Sequence, residues 1–229
     1  MALIHGMPMI GHCYCRVRLC DALDDTYVAT CDQEIYDYVE SIGHKAVMTK
    51  DTHERCTDRT AEAVQKIEEE TQEKIDIVML VQGDEPMVLP QMLDAALAPM
   101  LADESINVVN LVSKLKNREE HEDPNEVKVV IDRNHNALYF SREPIPSWKK
   151  GAKDFPMLKQ VCIIPFRRDF LFQYLELEPT MLEIVESVDM NRFLEYGIKI
   201  KMIKTDHQSF SVDTESDLAN VKELMKNDS

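Results

Sequence analysis

The sequence predicts an α/β fold, with a mostly parallel open sheet flanked by helices, on three observations. β-Rich runs alternate with helical periods through the first half: 27–31 before 32–42, 46–49 before 58–70, and 75–82 before 90–102. The run Ile77–Val81 is apolar throughout, which suits a strand covered on both faces, the usual state in a parallel sheet. The chain has 229 residues, 44% of them hydrophobic and 30% charged, enough for one large domain with a sizeable core.

Taken in order, Ile10, Tyr14 and Val17 fit one helical face near the start. In the segment 32–42, Ile35, Val39 and Ile42 fall at i, i+4 and i+7 on one face, and Asp32 is placed to cap it. The second half adds strand candidates at 107–112, 127–131, 137–141, 160–166 and 198–203. The stretch 147–155, carrying Lys149, Lys150 and Gly151, is expected to be a mobile surface loop.

With 42 acidic side chains against 26 basic ones the net charge is 26 − 42 = −16. Neither nucleic acid nor an anionic membrane would be drawn to such a surface, so an anionic substrate must meet a local basic patch or a metal. No apolar run approaches the length of a membrane span and the first fifteen residues lack a secretory pattern, so a cytoplasmic protein is expected. The six cysteines do not form the framework of a small secreted domain and read as reduced thiols.

Four segments can carry chemistry. Gln82-Gly83-Asp84-Glu85-Pro86 follows the most apolar strand, at the carboxyl end where open α/β sheets bind ligands. Its carboxylates suit Mg²⁺, which takes one or two carboxylates and completes its shell with substrate phosphates; a plain acidic turn explains the same residues. Asp213 precedes a capping box formed by Thr214 and Asp217, which accounts for those two residues but not for Asp213, itself otherwise an ordinary loop aspartate. Thr57-Asp58-Arg59 opens a helix whose N-terminus suits an anion, unless it is simply a solvated helix start. Arg142, after the strand 137–141, can grip a carboxylate or phosphate in two places, or pair with Glu143. His12, Cys13 and Cys15 lack a matching second pair for zinc and read more simply as packing.

Read together, Pro8-Met9-Ile10, Val28-Ala29-Thr30, Val47-Met48-Thr49, Gln82-Gly83-Asp84-Glu85-Pro86, Pro124-Asn125-Glu126-Val127-Lys128-Val129-Val130, Ala137-Leu138-Tyr139-Phe140-Ser141-Arg142, Pro144-Ile145-Pro146 and Val212-Asp213-Thr214 resemble the 3-deoxy-manno-octulosonate cytidylyltransferases, or CMP-KDO synthetases. The order is collinear over nearly the whole chain. The resemblance implies a Rossmann-like nucleotidyltransferase domain over 1–229 with a small dimerisation lobe, acting as a cytoplasmic homodimer in lipopolysaccharide biosynthesis. It implies that CTP is joined to a small acidic acceptor, a keto sugar acid, with release of pyrophosphate. Asp84 and Asp213 match the family's catalytic, Mg²⁺-binding carboxylates. Gln82, Thr57, Asp58 and Arg59 match nucleotide positions, and Arg142 matches a substrate arginine.

Two departures accompany the match. The family's opening strand and phosphate clamp, I-P-A-R-x-x-S-x-R-L/F-P-G-K-P, do not occur, so the domain is expected to be N-terminally incomplete by on the order of twenty residues. At the acceptor side H-x-G-I-Y-x-Y-R becomes Gln160-Val161-Cys162-Ile163-Ile164-Pro165-Phe166-Arg167, and E-x-L-E-Q-L-R becomes Glu186-Ser187-Val188-Asp189-Met190-Asn191-Arg192. Gln160, Ile164 and Asp189 therefore stand at substrate-binding positions with altered chemistry, and the acceptor is expected to differ from the usual sugar. Other functions open to the sequence are a non-catalytic relative serving as a binding or dimer subunit, and a zinc module on His12, Cys13 and Cys15.

Overall fold

A computed structural model describes residues 1–149, 151 and 155–227. In chain order the elements are β1 (Leu3–Ile4), β2 (Met7–Pro8), α1 (Met9–Val17), β3 (Val28–Thr30), α2 (Gln33–Ser41), β4 (Ala46–Met48), α3 (Cys56–Thr71), β5 (Ile77–Val81) and α4 (Pro90–Ala102). There follow β6 (Val109–Lys114), α5 (Arg118–Glu122), β7 (Lys128–Ile131), β8 (Ala137–Ser141), β9 (Leu158–Val161), β10 (Ile163–Arg167), α6 (Arg168–Glu176), α7 (Met181–Glu186), α8 (Met190–Glu195), β11 (Lys201–Lys204) and α9 (Glu215–Leu224). The chain divides into two compact units, Met1–Asp94 with Ser209–Ser229, and Ala95–Gln208. Among the described residues no helix is long and apolar enough to cross a membrane.

In the first unit, β1 and β2 form a hairpin closed by His5 and Gly6, both at positive φ. That is the two-residue loop whose twist matches paired strands. Ile4 from the hairpin packs with Val221 and Met225, and Met9, Met87, Phe210, Val212 and Leu218 pack around this cluster. Apolar packing thus gathers the hairpin, the turn after β5 and the approach to α9. β3 and β4 pair in parallel, Val28 opposite Ala46. Asp32 caps α2 as the sequence predicts, accepting from the Glu34 N–H at 2.8 Å, and Val39 is buried, whereas Ile42 lies past the helix end and is exposed. β5 forms where expected, but only Leu80 in it is buried. An apolar run sets what a strand can bury; its neighbours decide how much is covered.

The second unit holds a five-stranded sheet in the order β11-β6-β9-β7-β8. β11 runs parallel to β6, but β6–β9, β7–β9 and β7–β8 are antiparallel, so this sheet is mixed rather than mostly parallel. β7 returns directly into β8, a connection that permits only antiparallel pairing, and β9 slots between β6 and β7. The single strand expected over 160–166 is two, β9 and β10, separated at Cys162. Phe166, Phe170 and Tyr174 ring Phe193 at centroid distances of 6.1, 5.1 and 5.0 Å. Asn191 on α8 accepts from the Phe140 N–H at 3.2 Å and donates to the Phe140 carbonyl at 3.0 Å, docking α8 on β8. Of the loop expected over 147–155, positions 150 and 152–154 lie outside the described residues.

Candidate active site

The first unit builds its site at the end of β5. Gly83 lies so close to α1 that an added Cβ would come within 3.0 Å of Ile10 Cδ1, and its carbonyl accepts from Cys13 Sγ at 3.1 Å. The Glu85 carboxylate, 4% exposed, accepts from Ser209 Oγ at 2.8 and 3.0 Å. The Val212 N–H donates to the Asp84 carbonyl at 3.0 Å. These bonds lay the segment before α9 along the turn after β5, bringing Asp213 to Asp84. Thr214 then caps α9, with Asp217 returning the bond to the Thr214 N–H at 2.8 Å.

The two acids differ in their surroundings, Asp213 being exposed and Asp84 half-buried. Asp84 Oδ1 is buried and has no hydrogen-bond partner among the described residues. Burial, and after it the charge of Asp213, push the Asp84 carboxyl up to about 6. A partly desolvated carboxylate facing a second acid is costly, and a cation relieves both effects. Hard oxygen donors at two carboxylates, with phosphate and water for the rest, fit Mg²⁺. Among the described residues no group of three or more His, Cys, Asp or Glu side chains is arranged to hold a metal.

The start of α3 joins the same unit. Gln82 Nε2 donates to Cys56 Sγ at 3.1 Å, placing Gln82 against the first turn. The helix begins at Cys56, with Thr57, Asp58 and Arg59 next in its first turn, and Thr57 is fully buried. Arg59 Nη1 donates to Thr49 Oγ1 and, at 3.2 Å, to the Lys50 carbonyl. Glu62 accepts from the Lys50 N–H at 3.1 Å, bonds His53, and pairs with Lys66 at 2.9 Å. Burial raises the Glu62 carboxyl, but Lys66, His53 and the Lys50 N–H together bring it down to about 2.

The zinc alternative finds its residues engaged elsewhere: His12 Nε2 bonds the Ile4 carbonyl at 2.9 Å and Cys13 Sγ donates to the Gly83 carbonyl at 3.1 Å. Among the described residues His12, Cys13 and Cys15 form no group arranged to hold a metal.

In the second unit Arg142 follows β8. Its Nε donates to the Glu186 carbonyl at 2.8 Å and its Nη1 to the Pro124 carbonyl at 2.9 Å. The Arg142 carbonyl accepts from Lys128 Nζ, a fully buried ammonium that also reaches the Asp123 carbonyl at 2.7 Å. The pairing of Arg142 with Glu143 considered from sequence is not the one formed; Glu186 and backbone carbonyls take that place. Gln160 on β9 donates through Nε2 to Asn110 Oδ1 at 2.7 Å, which leaves its carbonyl oxygen to accept. Ile164 is 3% exposed and packs in the core. Asp189 stands at the N-cap of α8 without a side-chain cap bond. Glu186, not singled out from the sequence, binds β8 and Arg142 through four hydrogen bonds. Only its place in the segment after Val185 signalled it.

A sheet-and-helix fold with a carboxylate pair beyond a strand end defines an α/β nucleotidyltransferase. The chain is similar in fold to the 4-diphosphocytidyl-2C-methyl-D-erythritol synthase of Anaerococcus prevotii, with a TM-score of 0.64 at 13% identity, over 98% of this chain and 88% of that one. The family model described as "Cytidylyltransferase" matches residues 1–200. A 3-deoxy-manno-octulosonate cytidylyltransferase of Geobacter metallireducens is 39% identical over 235 residues, 98% of this chain and 90% of that protein. The structure of CMP:2-keto-3-deoxy-manno-octonic acid synthetase complexed with CTP matches with a TM-score of 0.89 at 35% identity, over 100% of this chain and 91% of that one. The chain belongs to the 3-deoxy-manno-octulosonate cytidylyltransferase family.

Proposed function

We propose that this chain is a Mg²⁺-dependent cytidylyltransferase that joins CTP to 3-deoxy-manno-octulosonate or a closely related keto sugar acid and releases pyrophosphate. The observation that carries the reading is Asp84, whose buried Oδ1 lacks a hydrogen-bond partner among the described residues while burial, and after it the Asp213 charge, raise its carboxyl. The anomeric hydroxyl of the acid attacks the α-phosphorus of CTP; the new O–P bond forms as the bond to the β-phosphate oxygen breaks, and the hydroxyl proton leaves to solvent. No covalent enzyme intermediate is required.

Asp84 and Asp213 would hold Mg²⁺, which when bound offsets charge on the phosphates of the attacked nucleotide. Gln82 and the first turn of α3, with Thr57, Asp58 and Arg59, serve the nucleotide. Arg142 holds the acceptor carboxylate through Nη2, and Gln160 accepts from an acceptor hydroxyl through its amide oxygen. Asp189 accepts a second hydroxyl. The two units act as one catalytic domain over 1–229, working as a homodimer in the cytoplasm, where it supplies an activated sugar for lipopolysaccharide.

The test is incubation with CTP, MgCl₂ and 3-deoxy-manno-octulosonate, following pyrophosphate and the CMP-linked sugar together. Stoichiometric appearance of both supports the reading. CTP binding without either product would support a non-catalytic binding subunit and overturn it.

A further inference from the structure

We propose that Glu186 is the positioning residue that sets Arg142 for the acceptor's carboxylate. This inference rests on the reading of Arg142 as the acceptor anchor and deepens it. α7 ends at Glu186, and Ser187, at φ 54°, turns the chain while its N–H bonds the Glu183 carbonyl. The turn leaves both ends of Glu186 facing β8. Oε1 accepts from the Tyr139 hydroxyl at 2.6 Å and from Ser141 Oγ at 2.9 Å. Oε2 accepts from the Arg142 N–H at 2.8 Å, and the Glu186 carbonyl accepts from Arg142 Nε at 2.8 Å.

Tyr139 and Ser141 are two apart on one strand and so present their side chains on one face, where a single carboxylate oxygen can take both hydroxyls. The other oxygen then fixes the Arg142 backbone, and the carbonyl fixes its guanidinium. With Nη1 held by Pro124, only Nη2 of that guanidinium bonds no described residue. A long, rotamer-rich side chain is thereby ordered before any ligand arrives, which removes an entropy cost from binding. Glu186 stays ionised at neutral pH. Burial raises its carboxyl, but Tyr139, the Arg142 N–H and Ser141 outweigh it, while Tyr139, pushed up to about 12 by burial and by Glu186, remains a donor.

Docking of α8 on β8 is a separate matter, because Asn191 secures α8 to Phe140 without Glu186. A positioning role therefore predicts a selective defect.

Pyrophosphate release at saturating CTP and varied acceptor is measured for the wild type, Glu186→Ala, Glu186→Gln, Arg142→Ala and the double Ala variant, with melting temperatures alongside. Glu186→Ala should raise the acceptor KM by about tenfold with kcat and the CTP KM nearly unchanged. Glu186→Gln should restore most of the loss, since its amide oxygen can accept from the Arg142 N–H while its NH₂ donates to the two hydroxyl oxygens. In the Arg142→Ala background the Glu186→Ala change should add nothing further. An unchanged acceptor KM in Glu186→Ala, multiplying effects in the double variant, or an equal rise in both KM values with a lowered melting temperature would overturn the assignment. A wild type that releases no pyrophosphate overturns the parent reading, and an active wild type insensitive to Glu186 overturns this one alone.

Discussion

The two units meet their key charges in opposite ways. In the first, Asp84 is a half-buried acid whose buried Oδ1 bonds nothing among the described residues, and burial, with a neighbouring acid after it, raises its carboxyl to about 6. In the second, Arg142 is a cation held at its N–H, Nε, Nη1 and carbonyl by Glu186, Pro124 and Lys128. One unit leaves a charge for a ligand to satisfy; the other spends its hydrogen bonds on aiming a charge in advance. The difference teaches where ligand binding should stabilise the protein and where it should depend on local geometry. A cation should strengthen the first unit, whereas small changes around Arg142 should weaken acceptor affinity.

Breaking the first unit's arrangement gives the largest effect. Asp84→Asn should lower kcat by about 10² to 10³, the scale of losing one preorganised electrostatic contact to the transition state, with a much smaller change in CTP affinity. A kcat within threefold of wild type in the pyrophosphate assay would contradict it.

Breaking the second comes next. Arg142→Lys keeps the charge but loses the planar fork, and a lost charge-assisted bond of about 2 kcal/mol corresponds to roughly a 30-fold rise in the acceptor KM. The same assay at fixed CTP reads it. Gln160→Ala removes a neutral partner worth about 1 kcal/mol, so acceptor discrimination across a panel of keto acids should shift by about fivefold. An identical ranking of acids and full activity with 3-deoxy-manno-octulosonate would show that Gln160 does not read the acceptor.

The smallest effect is on stability, and it sharpens the contrast because Glu62 is an acid in the first unit that faces Lys66, His53 and the Lys50 N–H. Its folded value, about 2, lies below the ordinary 4.5. Its contribution is therefore present above pH 4.5 and is lost as pH falls toward 2. Glu62→Gln should lower the melting temperature at pH 7, and the gap to wild type should close as pH falls from 4.5 to about 2. A gap that is constant over that range would show that Glu62 acts only through packing.

Much of the first unit was legible in the sequence. Gln82 to Pro86 and Asp213 with its capping box are local patterns, and a turn or a cap is a local decision of the chain. That Asp84 and Asp213 meet was carried only by the resemblance, because the packing of Ile4, Val221 and Met225 that joins them depends on residues more than two hundred positions apart. The second unit was less legible. Its mixed sheet arises from β9 entering between β6 and β7, which no alternation of apolar residues announces. Arg142 stood out by its place after a strand, but Glu186 holds it across 44 positions, and nothing in the spacing pairs them. Ile164 looked like a substrate position by correspondence, yet its burial is a property of the packed unit.

Thermal melting in a Mg²⁺ titration at pH 8, comparing wild type with Asp84→Asn, tests most directly whether the Asp84 carboxylate awaits a cation. Without metal, the variant should melt at or above the wild type, because the amide removes the buried charge facing Asp213. Millimolar Mg²⁺ should raise the wild type by a few degrees, about 2–4 °C per kcal/mol of binding, and leave the variant unmoved. Equal responses of the two proteins to Mg²⁺, or a metal-free variant markedly less stable than wild type, would contradict the claim that Asp84 awaits a cation.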